Sequence, residues 1–161
     1  MRHSMNGNGY STLGTQSSLF RGFDGNHLIR KFNEFRLFVN CTSIAGMYTR
    51  SASGFEGSTL EEISLPAVLT NIGDRAFKSC TNLKLLDIPS GVTAIGRAAI
   101  QDHRNVIICR AVSVPTLSTN NNVGTALIFV PDESVDLYKA ATNWSTAQIA
   151  NRIRPLSEFT E

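Results

Sequence analysis

The apolar positions between Leu60 and Asn105 repeat with a period of 23 residues. Leu60, Ile63 and Leu65 follow the L-x-x-L-x-L spacing of a leucine-rich repeat, which predicts a strand whose alternate side chains point inward. Pro66 ends that strand because it has no N–H to donate. The two copies are identical at Leu60/Leu83, Pro66/Pro89, Thr70/Thr93, Ile72/Ile95, Gly73/Gly96, Ala76/Ala99 and Asn82/Asn105. Such a fixed period predicts a repeat solenoid, mainly β with short helices.

The apolar pattern also predicts which residues in the second half of each unit point into the core. We expect Leu69 and Ile72 to point inward, and Ala76 and Phe77 to fill the core on the far side of the Gly73 corner. A third, less regular unit follows at the same spacing, with inward positions predicted at Val106, Cys109 and Ala111. Before the first full unit, the segment CTSI at 41–44 is similar to LTNI and VTAI, and Gly54-Phe55 takes the place of Ala76-Phe77. The prediction is a right-handed solenoid of about three coils.

Both ends of the repeats are expected to carry caps, because terminal repeats must cover an open core. Phe32, Phe35, Phe38 and Val39 follow a helical spacing and predict a helix that closes the N-terminal end. After the repeats, the pattern predicts a buried strand at 127–130 and a helix over VDLYKAA, capped by Asp132 or Ser134. We therefore divide the chain into a disordered tail (1–12) and a single domain (13–161). That domain comprises an N-terminal cap with an imperfect coil (13–59), repeats (60–112) and a C-terminal cap (113–161).

Composition narrows the range of partners. The formal net charge is +2 and the basic residues are scattered, so neither nucleic acid nor an anionic membrane is an expected partner. The three cysteines are too far apart in sequence for a CxxC metal or redox pair, and they allow at most one disulfide. No stretch is long and apolar enough to span a membrane, and the first residues, MRHSMNGNGYSTLG, lack the apolar stretch of a signal peptide.

Three segments together resemble a known family. The units LEEISLPAVLTNIGDRAFKSCTNL and LKLLDIPSGVTAIGRAAI are similar to the BspA-like leucine-rich repeats of bacterial surface proteins. The segments FNEFRLFVNCTSI ahead of the repeats and IFVPDESVDLYKAATNWS with IRPLSEF after them also resemble segments that flank such repeats. The third unit departs from the pattern, because it lacks the proline and the Ala-Phe pair. The resemblance implies a secreted or surface-exposed binding or adhesion module without catalysis.

Candidate catalytic groups are sparse in this sequence. His27 and His103 are expected in surface turns, and Cys80 at a small, buried repeat position. The neighbours Glu61 and Glu62 would point to opposite faces of a strand, so solvated charges are favoured over an acid–base pair. The sequence shows no nucleophile with a base and no metal-binding cluster, so we predict neither an enzyme nor a cofactor or metal site.

The outward face of the predicted sheet is the candidate binding surface. If the 23-residue spacing continues through the third unit, two rows of side chains lie on strands about 4.8 Å apart. These rows are Glu62/Leu85/Ile108 and Ser64/Asp87/Arg110. Exposed Leu85 and Ile108 would form an apolar patch, and Asp87 and Arg110 would orient a partner.

The predicted partner is a host or bacterial surface protein or glycan, bound weakly or through several copies because three strands make a small site. Two alternatives stay open. A cap or a second copy of the chain would cover the face, or the chain would be a structural spacer or assembly domain without a ligand, with weak self-association.

Overall fold

The computed structural model of the protein describes residues 19–20, 26–44, 46 and 54–160. Over these ranges the chain forms short strands and a few single-turn helices. The predicted tail (1–12) lies outside the described residues. The strands are β1 (Leu19–Phe20), β2 (Lys31–Phe32), β3 (Ser43–Ile44), β4 (Glu62–Ile63), β5 (Asn71–Ile72), β6 (Leu85–Ile88), β7 (Ala94–Ile95), β8 (Val106–Cys109), β9 (Thr116–Leu117), β10 (Leu127–Val130) and β11 (Ile153–Pro155). The α-helices are α1 (Val135–Ala140) and α2 (Ala147–Ala150), and 3₁₀ helices cover Asn33–Leu37, Asp132–Ser134 and Leu156–Glu158.

The strands form parallel sheets in which nearest neighbours come from successive repeats. Sheet A has the order β1-β3-β5-β7-β9 and sheet B the order β11-β10-β8-β6, while β2 pairs with β4. Every pairing among these strands is parallel. From β5 to β8 the chain alternates between sheets A and B, so each repeat gives one strand to each. Together with the short helices, this is the architecture of a mainly β repeat fold.

The predicted inward positions of the first full unit are buried. Leu60, Leu69, Ile72, Ala76 and Phe77 have no exposed surface. Ile63 and Leu65 are also buried. The resemblance of CTSI to later segments is confirmed by the register, because Ile44 pairs with Ile72, which pairs with Ile95. The ring of Phe55 stacks on Phe77 with centroids 5.2 Å apart.

Backbone conformation repeats along with the side chains. Arg75 and Ala98 both adopt a left-handed conformation (φ 60° and 54°), and so do Ser79 and Asp102 (φ 57° and 64°). Each pair is one repeat apart. Residues other than glycine seldom adopt this conformation, so its recurrence shows that successive units share the same tight turns.

The N-terminal segment corrects one prediction. Phe32 lies in β2, paired with Ile63, and only Asn33–Leu37 is helical, as a 3₁₀ helix. Phe32 and Phe35 are buried and Phe38 packs on the core, but Val39 is 63% exposed. The prediction that all four residues lie on one apolar helical face was therefore wrong for Val39. Strand pairing with β4 fixes Phe32, and the tighter 3₁₀ turn then rotates Val39 out of the apolar stripe.

Side chains of the C-terminal segment close one end of sheet A. Trp144 Nε1 donates to the carbonyl of Pro115 at 2.8 Å, and Asn143 Nδ2 donates to that of Leu117 at 2.6 Å. Both carbonyls flank or belong to β9, the edge strand. Covering an edge in this way prevents its pairing with another chain.

The helix α1 forms where it was predicted, but neither predicted cap acts as one. Tyr138 on its inner side is buried, and its hydroxyl donates to the carbonyl of Ala111 at 2.7 Å. Ser134 precedes the helix, yet its hydroxyl donates to the carbonyl of Val112. The Asp132 carboxylate accepts the backbone N–H of Ser157 instead. Tertiary partners have replaced the local caps that the sequence suggested.

His103 corrects another prediction, since it is buried rather than at the surface. Its side chain is 1% exposed and takes the repeat position that Cys80 occupies one unit earlier. Neither ring nitrogen has a hydrogen-bond partner of good geometry. Burial lowers the pKa of His103 to about 4, and the nearby Phe77 backbone and Asp102 charge offset this only in part. His103 is therefore a neutral core residue at physiological pH.

Candidate binding surface

The register of sheet B differs from the spacing assumed from sequence. Leu85 pairs with Val106, and Val106 pairs with Leu127. The spacing between these strands is therefore 21 residues, two fewer than the repeat period. The difference lies in the turn, because Asn82 is followed by Leu83 and Lys84 before the strand, whereas Asn105 leads directly into Val106. Both predicted rows are consequently wrong from the third unit onward.

Ile108 keeps its predicted outward face, but it is level with Asp87 and not with Leu85. In the observed register it lies between Asp87 and Phe129, and it is only 2% exposed. Phe129 is also buried, and its ring packs on that of Phe159 with centroids 5.2 Å apart. The predicted exposed pair of Leu85 and Ile108 therefore does not exist. Likewise, Val106 faces outward and Ile107 takes the inward position.

Three apolar side chains do share an accessible row. Leu85, Val106 and Leu127 stand side by side on β6, β8 and β10, at the outward position where each strand begins. Leu85 and Val106 are half-buried, and Leu127 is 40% exposed. We call this row the outer stripe. Sequence reasoning missed Val106 and Leu127, although aligning LLDIP, VIICR and LIFVP would have revealed them.

The predicted site residues Glu62 and Ser64 are held by the N-terminal segment. Glu62 pairs with Lys31 in register, and their side chains form an ion pair of 2.8 Å. The hydrogen bond between them lowers the pKa of Glu62 and raises the pKa of Lys31. The Ser64 hydroxyl donates to the Asn33 side chain at 3.2 Å. These two residues therefore lie beside the outer stripe with their polar groups already engaged.

Asp87 and Arg110 form the other polar feature of this face. The guanidinium makes a bidentate contact with the carboxylate, Nε to Oδ1 at 2.6 Å and Nη2 to Oδ2 at 2.7 Å. Its hydrogen bond with Asp87 raises the pKa of Arg110. Arg110 follows Cys109, which is level with Ile88, so it reaches back along the sheet to Asp87. Both side chains are partly exposed, so the pair stabilises the fold only slightly and orients its charges beside the stripe.

The altered register makes a direct prediction for stability. Ile108→Ala is expected to lower the free energy of unfolding by about 2 kcal/mol, because it leaves a cavity in buried surface. Val106→Ala, at a half-buried position, should cost less than about 1 kcal/mol. Urea unfolding of both variants measures the difference. Equal losses, or a larger loss for Val106→Ala, would contradict the register described here.

Catalytic chemistry gains no support from the geometry. In the described part of the chain, no three histidine, cysteine or acidic side chains are grouped so as to hold a metal ion. The Cys80 thiol is buried, donates to the Phe55 carbonyl at 2.9 Å, and has its pKa raised by burial to about 11. Burial also raises the pKa of Cys109, whose sulfur lies 3.2 Å from the Tyr138 hydroxyl. Thiols in this state are structural rather than nucleophilic.

Comparison with known proteins supports the repeat assignment. Residues 49–120 match a family model described as BspA type leucine rich repeat region (6 copies). Comparison with curated proteins finds no match to the chain. Among the described residues, none of the helices is long and apolar enough to cross a lipid bilayer. Proteins of this repeat family are typically surface-associated, and their repeats generally serve in binding or as scaffolds. The sequence of residues 49–120 is therefore assigned to the BspA-type leucine-rich repeats by this match.

Proposed function

We propose that the chain is a non-enzymatic interaction module that binds a partner protein through the outer stripe. The observation that carries this proposal is the continuous row of Leu85, Val106 and Leu127. These side chains leave apolar surface accessible to a partner on three paired strands. Apolar surface of this kind, bordered by charged groups, is typical of protein contact sites. The Lys31–Glu62 and Asp87–Arg110 ion pairs supply that border.

The architecture suits such a role. We propose that the stacked repeats form a solenoid of about three coils, capped by the 3₁₀ helix at 33–37 and by the segment that follows β9. Rigid neighbouring strands would hold the stripe in one conformation, so binding would cost little conformational entropy. Three short strands offer less area than a stable pairwise interface needs. The affinity of one copy should therefore be weak, and adhesion would depend on several copies acting together.

The place of action proposed for the chain is the cell surface or the extracellular space. Support comes from the family to which residues 49–120 belong, whose members are typically surface-associated. All three cysteines are buried, so they fit either a reducing or an oxidising environment. Localisation of the natural protein with an antibody against this chain would test the assignment, and a purely cytoplasmic signal would contradict it.

The test of the binding face uses charge inserted into the stripe. The Leu85→Asp/Leu127→Asp double variant should lose at least about tenfold in affinity for any surface or secreted protein that the parent captures on an array, because burying these charges opposes contact. Val68→Asp is the matched control, since Val68 is 41% exposed but lies in the turn after Pro66, outside the three strands that carry the stripe. Thermal unfolding of all three proteins verifies the fold. Equal binding by the double variant and the control would exclude this face.

A structural role is the second candidate, because the same stripe would suit contact between copies of the chain. Light scattering after size exclusion distinguishes the two functions. If the parent forms a dimer that Leu85→Asp/Leu127→Asp converts to a monomer, assembly through the stripe is favoured. If the parent is a monomer that captures a partner, display to another protein is favoured.

A further inference from the structure

A polar cleft lies beside β9 at the end of sheet A, and none of its lining residues belongs to the outer stripe. Its volume is about 380 Å³, within the usual range for small-ligand sites. Six of the ten residues that line it carry side-chain amides and three carry hydroxyls, while none carries a charge. The lining residues are Gln101, Ser118, Thr119, Asn120, Asn121, Asn122, Asn143, Thr146, Gln148 and Ile149.

The first wall of the cleft is the segment that follows β9, and Asn121 holds it in place. Asn121 is buried, and its Nδ2 donates to the carbonyls of Gly96 and Ser118 while its Oδ1 accepts the N–H of Ile100. Asn120 adopts a left-handed conformation (φ 65°), so the chain turns there and leaves its side chain exposed. Asn121 thus supports the cleft, and Asn120 presents its amide to solvent.

The second wall comes from residues 143–149 and is tied to the first. The Asn143 side chain donates to the Leu117 carbonyl in β9, and the Trp144 indole donates to the carbonyl of Pro115, which precedes β9. Buried Ile149 is the one apolar residue of the lining. Because both walls are fixed by buried side chains, the cleft is formed before any ligand arrives.

Several polar groups at the cleft have no partner. Within the described ranges, the side-chain amides of Gln101, Asn120 and Gln148 make no hydrogen bond to the protein. Each such amide offers two donors and an acceptor oxygen. A ligand with many neutral hydroxyl groups satisfies this combination, because a hydroxyl both donates and accepts. Phosphates, carboxylates and cations are not favoured, since the lining carries no charge to pair with them.

We propose that this cleft binds a neutral saccharide through amide–hydroxyl hydrogen bonds. An extended peptide fits less well for two reasons. It would need free backbone groups at the sheet edge, but Asn143 and Trp144 already occupy the carbonyls of Leu117 and Pro115. It would also need apolar subsites for its side chains, and Ile149 is nearly covered. The cleft is separate from the outer stripe, so the Leu85→Asp/Leu127→Asp variant should bind saccharide as the parent does.

The experiment screens the full chain on an array of neutral oligosaccharides, sialylated or sulfated counterparts, and peptides, and then titrates the best neutral ligand by calorimetry. The Asn120→Gly/Gln148→Ala double variant should bind at least about tenfold more weakly, since two amides are lost. Glycine at 120 keeps the left-handed backbone. Asn82→Ala, which removes an exposed amide outside the cleft, is the matched control and should stay within about twofold of the parent.

Each outcome decides the proposal. Binding of a neutral saccharide that is lost in Asn120→Gly/Gln148→Ala and kept in Asn82→Ala supports it. Capture of only charged glycans, capture of only peptides, or absence of any neutral ligand overturns it. Equal binding by the double variant and the control also overturns it, provided that their thermal unfolding matches that of the parent. None of these results depends on whether the outer stripe binds a protein.

Discussion

Phe77→Ala is expected to lower the free energy of unfolding by about 3–5 kcal/mol, the range for removing a buried phenylalanine from a packed core. Phe77 has no exposed surface and stacks on Phe55, which in turn contacts Phe35 at 5.6 Å between ring centroids. The aromatic cluster thus joins the N-terminal segment to the first full repeat. Losing the ring leaves a cavity and removes a stacked pair, which is favourable beyond its buried area.

The repeat supplies its own control for this substitution. Ile100 occupies the equivalent position one unit later and is equally buried. Phe77→Ile should therefore cost less than half as much as Phe77→Ala, because it keeps most of the apolar volume. Chemical denaturation followed by circular dichroism measures both. If the two variants were equally destabilised, the loss would arise from the aromatic stacking and not from the cavity.

Acid is expected to destabilise the protein through His103. The folded state binds a proton on this ring only below pH about 4, whereas the unfolded chain binds one below about 6.5. Between these values the unfolded state holds more protons, so the free energy of unfolding falls as the pH falls. The contribution is complete above pH 6.5 and is lost on acidification, amounting to roughly 3 kcal/mol once the pH reaches the folded-state pKa.

His103→Cys separates this effect from the titration of carboxylates. Cysteine is the residue of the preceding unit at this position, Cys80, and it carries no charge in acid. Urea unfolding from neutral pH down to about pH 4 should give a shallower loss of stability for the variant than for the parent. His27→Asn, at an exposed site, controls for the removal of a histidine and should retain the slope of the parent. Parallel slopes for parent and His103→Cys would refute the assignment.

The local pattern of apolar residues was sufficient to predict the core positions within one repeat unit. Leu60, Ile63, Leu69, Ile72 and Phe77 were placed in the core correctly because alternation and the proline stop are properties of a short segment. The helix predicted ahead of the repeats is only partly correct, because a shorter 3₁₀ helix covers Asn33–Leu37. The spacing of Phe32, Phe35 and Phe38 suits a helix, yet pairing with β4 holds the first of them in a strand, and tertiary contacts override such a local preference.

The candidate sites are formed by residues from separate segments, whose proximity a single segment of sequence does not reveal. A two-residue shortening after Asn105 brings Val106 level with Leu85 and places Ile108 beside Asp87 and Phe129, because a change of register alters which residues are neighbours across a sheet. Ile108 keeps its outward face but is buried there. The polar cleft joins residues 101, 118–122 and 143–149, which are brought together by the bonds of Asn143 and Trp144.

The repeat and most of the inward positions could be predicted from the amino-acid sequence, because both follow from periodic burial. Which outward residues share a surface emerges from the folded structure alone. Their neighbours lie on adjacent strands, and turn length sets the alignment of those strands independently of the pattern within each one.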